Sequence, residues 1–131
     1  MKCCENCHLA YIGFDKSQDA IIYADKTFNV KNYLNDSLEA EIPYHDALIT
    51  CPPYFNIEKY NGAGISDAKT YEEFLNLYKE ILKRCSEKTL PNATYCIIVG
   101  DWRLKGIFYN LSYDTEKIMY DLGFKIHDKV I

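Results

Sequence analysis

The stretch that decides the fold is HDALITCPPYFNIEKY, residues 45–60. Its apolar run Ala47, Leu48, Ile49, Thr50 and Cys51 reads as a buried strand. Pro52 and Pro53 follow at once and fit neither a helix interior nor a central strand, so the strand must stop at a rigid corner. The prolines hold the carbonyls of Cys51 and Pro52 in set directions and contribute no N–H. Tyr54 then presents a flat ring. Acceptors beside a ring suit a planar group with an exocyclic amine, the carbonyls taking its hydrogens while the ring stacks on its face. Aiming that nitrogen's lone pair at an electrophile is catalysis by positioning.

Outward from the corner, the pattern alternates strands and helices. LAYIGFD (9–15) and DAIIYAD (19–25) read as strands that end in Asp15 and Asp25, with a short turn or helix around Asn29–Leu34 after them. Residues 55–69 read as loop. Thr70 and Glu73 form a capping box for a helix whose Tyr71, Phe74, Leu75, Tyr78, Ile81, Leu82 and Cys85 share one face. ATYCIIVG (93–100) reads as a strand buried on both faces, and DWRLKGIFYN (101–110) as a loop. Ser112 is placed to cap a helix that turns Thr115, Ile118, Met119 and Leu122 inward and stops at Gly123. FKIHDKVI (124–131) alternates like a final strand. This order predicts an α/β fold with a mostly parallel sheet flanked by helices. Such sheets bind ligands beyond the carboxyl ends of their strands, here Asp15, Asp25, the 51–54 corner and Gly100-Asp101.

The 131 residues suit one domain, and the 48% hydrophobic and 26% charged fractions are those of a globular chain. No apolar run approaches the roughly 18 residues of a membrane span, and no signal-peptide core follows Met1-Lys2, so a cytoplasmic protein without a membrane segment is expected. The net charge of −4 leaves no basic stripe, so any grip on nucleic acid must be local or supplied by another segment or subunit. Of six cysteines, Cys51, Cys85 and Cys96 read as small buried apolar residues. Cys3, Cys4, Cys7 and His8 hold half the ligand pattern of a zinc site, with no second pair downstream. A reduced N-terminal segment without metal is the plainer reading. Lys59, Arg103 and Lys105 flank the pocket mouth, where exposed loop cations are more often solvated charge than phosphate ligands. His45 and His127 read as structural.

The string DALITCPPYFNIEKY resembles the catalytic segment of amino-methylating DNA methyltransferases, in which Asp, Asn or Ser precedes Pro-Pro-Tyr or Pro-Pro-Phe. The helix from Tyr71, IIVGDWRLKG and LSYDTEKIMYDLGFKIHDKVI resemble further stretches of phage and bacterial members, so the resemblance covers roughly residues 45–131. It implies a Rossmann-like fold and transfer of a methyl group from S-adenosylmethionine to N6 of adenine or N4 of cytosine, on duplex DNA with the target base flipped out. It implies catalytic roles for Cys51, Pro52, Pro53 and Tyr54, and substrate contacts for Phe55, Tyr60, Asp101 and Arg103. Asp15 is the expected ligand of the cofactor's ribose hydroxyls, and Asp25 is expected near its adenine.

Two departures stand out. Cys51 occupies the position where Asp, Asn or Ser would accept from the amine, and a thiol is a weak acceptor. The glycine-rich loop that holds the cofactor's methionine end in the family has no counterpart here. The catalytic domain is therefore expected to be partial, cut near the N-terminus, with a missing segment or partner subunit. Three alternatives stand beside this reading. One is a non-catalytic methyltransferase module, and another an amino-methyltransferase acting on RNA or protein. The third is a cytosine-C5 enzyme, which would use a cysteine nucleophile but usually in Pro-Cys order.

Overall fold

The computed structural model describes residues 9–28, 32–58 and 64–130. It is a mixed α/β structure in which the chain forms two compact units, residues 1–41 and 42–131. The Cys3, Cys4, Cys7 and His8 cluster lies outside the described residues, as do Lys59 and Tyr60.

The first unit runs β1 (Gly13–Asp15), α1 (Gln18–Phe28) and β2 (Asn32–Leu34). β1 and β2 pair in parallel, with Gly13 opposite Asn32 and Asp15 opposite Leu34. The DAIIYAD segment is therefore helical, not a strand, and Asn32–Leu34 is a strand. Ser17 decides the first point: its Oγ accepts from the Ala20 amide at 3.3 Å and its carbonyl from the Ile21 amide at 3.1 Å. Asp19 in the first turn and Lys26 in the last complement the helix dipole. Ile21 is the buried residue of α1. β1 is also shorter than the run 9–15 predicts, spanning its last three residues.

The second unit repeats the strand–helix–strand plan on a larger scale. β3 (His45–Thr50) and β4 (Thr89–Ile97) pair in parallel around α2 (Tyr71–Ser86), with Leu48 opposite Tyr95 and Thr50 opposite Ile97. Thr70 caps α2 by accepting from the Glu73 amide at 3.1 Å, and Glu73 reaches back to the Lys69 amide at 2.8 Å. Phe74, Tyr78, Leu82 and Cys85 carry its buried face. The predicted loop 101–110 is instead an antiparallel hairpin, β5 (Trp102–Leu104) and β6 (Ile107–Tyr109). It turns at Lys105 and Gly106, both at positive φ (49° and 84°), as a two-residue hairpin turn requires.

α3 (Leu111–Asp121) is capped by Asn110, not Ser112: the Asn110 Oδ1 accepts from the Tyr113 amide at 3.3 Å. Thr115, Ile118 and Met119 face inward as expected. Gly123 at φ 88° ends the helix, its amide donating to Tyr120 O and the Phe124 amide to Met119 O, a Schellman arrangement. Residues 124–130 form no strand despite their alternation. Lys129 pairs with Glu116, and the Phe124 ring lies 4.6 Å from Tyr95, so the segment is held by side chains and not by a ladder.

The core of this unit is Phe55, Ile65, Phe74, Tyr78, Leu82, Leu111, Ile118 and Met119, with Tyr95, Ile97 and Val99 packed against it. That packing covers one face of the β3–β4 pair. The other face is open: Ile49 is 75% exposed and Ile98 56%. β4 is thus not buried on both faces, and Cys51 and Cys96 are exposed where the sequence suggests burial. Only Cys85 matches that expectation, and burial pushes its thiol pKa up. The sheets are parallel for β1–β2 and β3–β4 and antiparallel for β5–β6, each two-stranded. Among the described residues no helix is long and apolar enough to cross a membrane.

Candidate active site

The corner sits where the sequence places it, directly after β3. The ladder reaches its last rung as the Ile98 amide donates to Thr50 O at 2.9 Å. Beyond it the chain turns out of the sheet through Cys51, Pro52, Pro53 and Tyr54, with Pro52 buried and Cys51 exposed. Among the described residues, no hydrogen bond is donated to the carbonyls of Cys51, Pro52 or Pro53. Among the described residues, the acceptors that the two prolines orient therefore have no partner.

Three contacts fix Tyr54. Its amide donates to the Glu58 carboxylate at 2.7 Å, which anchors the backbone immediately after the prolines. Its ring meets Trp102 edge-on, with centroids 5.1 Å apart at 88°. Its hydroxyl lies 3.2 Å from where a Cβ on Gly100 would stand, so a side chain there would displace the tyrosine by a few tenths of an ångström. The sequence assigns Glu58 no role and places Gly100 only at a ligand-facing strand end, without a contact to Tyr54. A carboxylate four residues after the corner and a glycine between a strand and an acid were the available signals.

An aromatic layer backs the corner. Trp102 stacks on Tyr109 at 5.0 Å, and Tyr71 meets both rings edge-on. Phe55 lies under Tyr71, Phe74 and Tyr109 at 5.6–5.9 Å. Its burial makes it a packing residue that supports the corner, whereas the resemblance suggests a substrate contact. The Tyr71 hydroxyl donates to Asp114 at 2.7 Å. Burial first, and then this carboxylate, hold the Tyr71 phenol pKa well above its usual range. The Tyr78 hydroxyl is buried, and burial pushes its pKa up to about 12, with the Thr115 hydroxyl working in the opposite direction.

Asp101 is engaged at the N-terminus of α3. Its two carboxylate oxygens accept from the Ser112 amide at 2.9 Å and the Ser112 hydroxyl at 3.0 Å. The resemblance implies a substrate contact for Asp101, whereas in the structure its carboxylate is engaged by Ser112. Arg103 is exposed on the hairpin, donating to Gly106 O at 3.2 Å. His45 bridges Pro43 O and the Tyr95 hydroxyl, and the exposed His127 lies against Asp128.

In the first unit, Asp15 stands at the carboxyl end of β1. One of its carboxylate oxygens accepts from the Ser17 amide at 2.7 Å, and the side chain is exposed. Asp25 lies within α1 and accepts from the Asn32 side chain at 3.1 Å. It ends no strand, so the strand-end argument for it falls away. Among the described residues, no group of three or more His, Cys, Asp and Glu side chains forms a metal site.

No protein-family model matches the chain, and no solved structure matches it significantly. The chain is similar to the type II methyltransferase M.MjaVI of Methanocaldococcus jannaschii, at 29% identity over 99 residues. The match covers 74% of this chain and 50% of the relative, so the chain spans about half the length of the curated protein it matches. The similarity is distant and supports a relationship to a type II methyltransferase.

Proposed function

We propose that this chain belongs to an amino-methylating DNA methyltransferase and that residues 51–54 receive the exocyclic amine of the target base. The observation that carries the reading is the corner itself. Carbonyls without partners among the described residues follow the last rung of β3, next to a tyrosine whose amide is anchored by Glu58 and whose ring lies against Trp102 and Gly100. The Pro52 carbonyl accepts a hydrogen from the amine, and the Tyr54 ring stacks on a base flipped out of duplex DNA. Held so, the amine nitrogen keeps its lone pair aimed at the incoming methyl group and passes its proton to solvent. S-adenosylmethionine would supply that methyl group from an activated sulfonium and leave as the neutral thioether. Asp15, at a strand end with an exposed carboxylate, suits the ribose hydroxyls, whereas Asp25 lacks the strand-end position. No step requires a covalent bond to Cys51.

A second reading is favoured by the open face of the β3–β4 pair and by the match to half of a longer relative. In it, the chain is a methyltransferase module that acts only once another segment or subunit completes it. Calorimetric titration with S-adenosylmethionine separates the two. Micromolar binding by this chain alone supports the enzyme, and no binding at millimolar cofactor, with the fold intact, supports the module.

A further inference from the structure

The hairpin Trp102–Tyr109 has a surface that core packing does not explain. Its root is tied to the corner: Trp102 and Tyr109 pair across the hairpin, stack on each other, and Trp102 contacts Tyr54. Its tip projects Arg103, Lys105, Ile107 and Phe108 into solvent, with Ile107 58% and Phe108 52% exposed. The Arg103 guanidinium lies over the Phe108 ring at 5.5 Å, so cation and ring form one exposed platform. In a chain of net charge −4, residues 102–113 contain Arg103 and Lys105 and no acid. The flanking Asp101 is turned onto the N-terminus of α3, where Ser112 takes up both its oxygens. The tip is therefore a local positive, partly apolar projection on an otherwise acidic protein. A hairpin with a two-residue turn is also slim, and a two-stranded ribbon is one of the shapes the DNA major groove admits.

We infer that the β5–β6 hairpin is a DNA-contacting element that enters the major groove beside the corner. Arg103 and Lys105 meet backbone phosphates there, and the Ile107–Phe108 edge lies against base edges. The choice of duplex DNA as the partner rests on the methyltransferase reading; the charge and shape of the hairpin do not.

The test is fluorescence anisotropy of the whole chain with a labelled 20-base-pair duplex over a range of salt, without cofactor. Arg103→Gln with Lys105→Asn is the main variant, asparagine being tolerant of the positive φ at 105. It should weaken binding at least tenfold and flatten the plot of log K against log salt by about 1.8, about 0.9 for each lost phosphate contact. Phe108→Ala should weaken binding with the slope unchanged. Lys125→Gln, an exposed cation elsewhere, should change neither. Circular dichroism verifies that each variant is folded.

The inference is overturned if the wild type fails to bind duplex at low salt or binds single-stranded RNA more tightly. It is equally overturned if Lys125→Gln matches the double variant. Hairpin-dependent binding without any methyl transfer would remove the enzyme reading and leave this one standing. Methyl transfer with hairpin-independent binding would do the reverse.

Discussion

The two units of this protein are built on the same device, a parallel strand pair joined through a helix, yet they invest it very differently. In the first, α1 buries Ile21 and the strands β1 and β2 are three residues long. In the second, the 16-residue α2 buries Phe74, Tyr78, Leu82 and Cys85, the first three in a core that includes Phe55 and packs against Tyr54, Tyr95, Trp102, Tyr109 and Phe124. What distinguishes them is the apolar area removed from water. Rigidity follows from it: the corner at Tyr54 sits on the aromatic layer, whereas Asp15 sits on a short strand pair. A site that works by positioning belongs on the first kind of support.

The sharpest way to break this comparison is to remove its largest member. Phe74→Ala should cost the second unit about 3–5 kcal/mol, the usual range for a buried ring, and abolish the near-ultraviolet dichroism of the aromatic layer. Ile21→Ala should cost about 2 kcal/mol in the first unit and leave that aromatic signal in place. Equal loss of the signal in both variants would mean that the units are not separate supports.

Tyr54→Ala should lower methyl transfer by about a hundredfold with little change in stability, since it removes the stacking ring and not the core. Gly100→Ala should act in the same direction more weakly. Its Cβ, 3.2 Å from the Tyr54 hydroxyl, displaces the ring by a few tenths of an ångström. An unaffected rate in both would detach the corner from the chemistry.

Alkaline titration sharpens the comparison further. Tyr71 and Tyr78 in the second unit have phenol pKa values raised by burial. Above pH about 10 the unfolded chain releases these protons while the native chain keeps them, so stability should fall with rising pH. Below that pH it should be unchanged by this pair. Tyr78→Phe should flatten the alkaline slope, readable in urea unfolding between pH 9 and about 11.5. A slope that stays the same would show that Tyr78 is not shielded as described. The smallest effect expected is Thr70→Ala, about 1 kcal/mol through loss of the cap on α2.

Legibility in the sequence followed the same division. α2 was readable because its apolar residues recur over four turns and Thr70 and Glu73 mark its start. β3 was readable because two prolines end it. DAIIYAD misled because Ala20-Ile21-Ile22-Tyr23-Ala24 is a short unbroken apolar run, for which periodicity cannot separate strand from helix. The deciding signal, Ser17 as a cap, lies just before it. The β5–β6 hairpin was missed because its turn is Lys-Gly and not Asn-Gly or Asp-Gly, and the φ at Lys105 is not written in the residue type. FKIHDKVI carries the alternation of a strand, but alternation says nothing about whether a neighbouring strand is there to pair with. At the candidate site, the sequence singles out Cys51 to Tyr54 and the strand end at Gly100. The contacts of Glu58 and Gly100 with Tyr54 are not legible there, because only the folded backbone creates them.

The most direct test of the central claim is methyl transfer from isotopically labelled S-adenosylmethionine to duplex DNA, followed by digestion to nucleosides. The account predicts label in N6-methyladenine or N4-methylcytosine, retained by Cys51→Ser and lowered about a hundredfold in Tyr54→Ala. Label in 5-methylcytosine that disappears with Cys51→Ser would contradict it, because the cysteine would then be a nucleophile and not the first residue of an amine-binding corner.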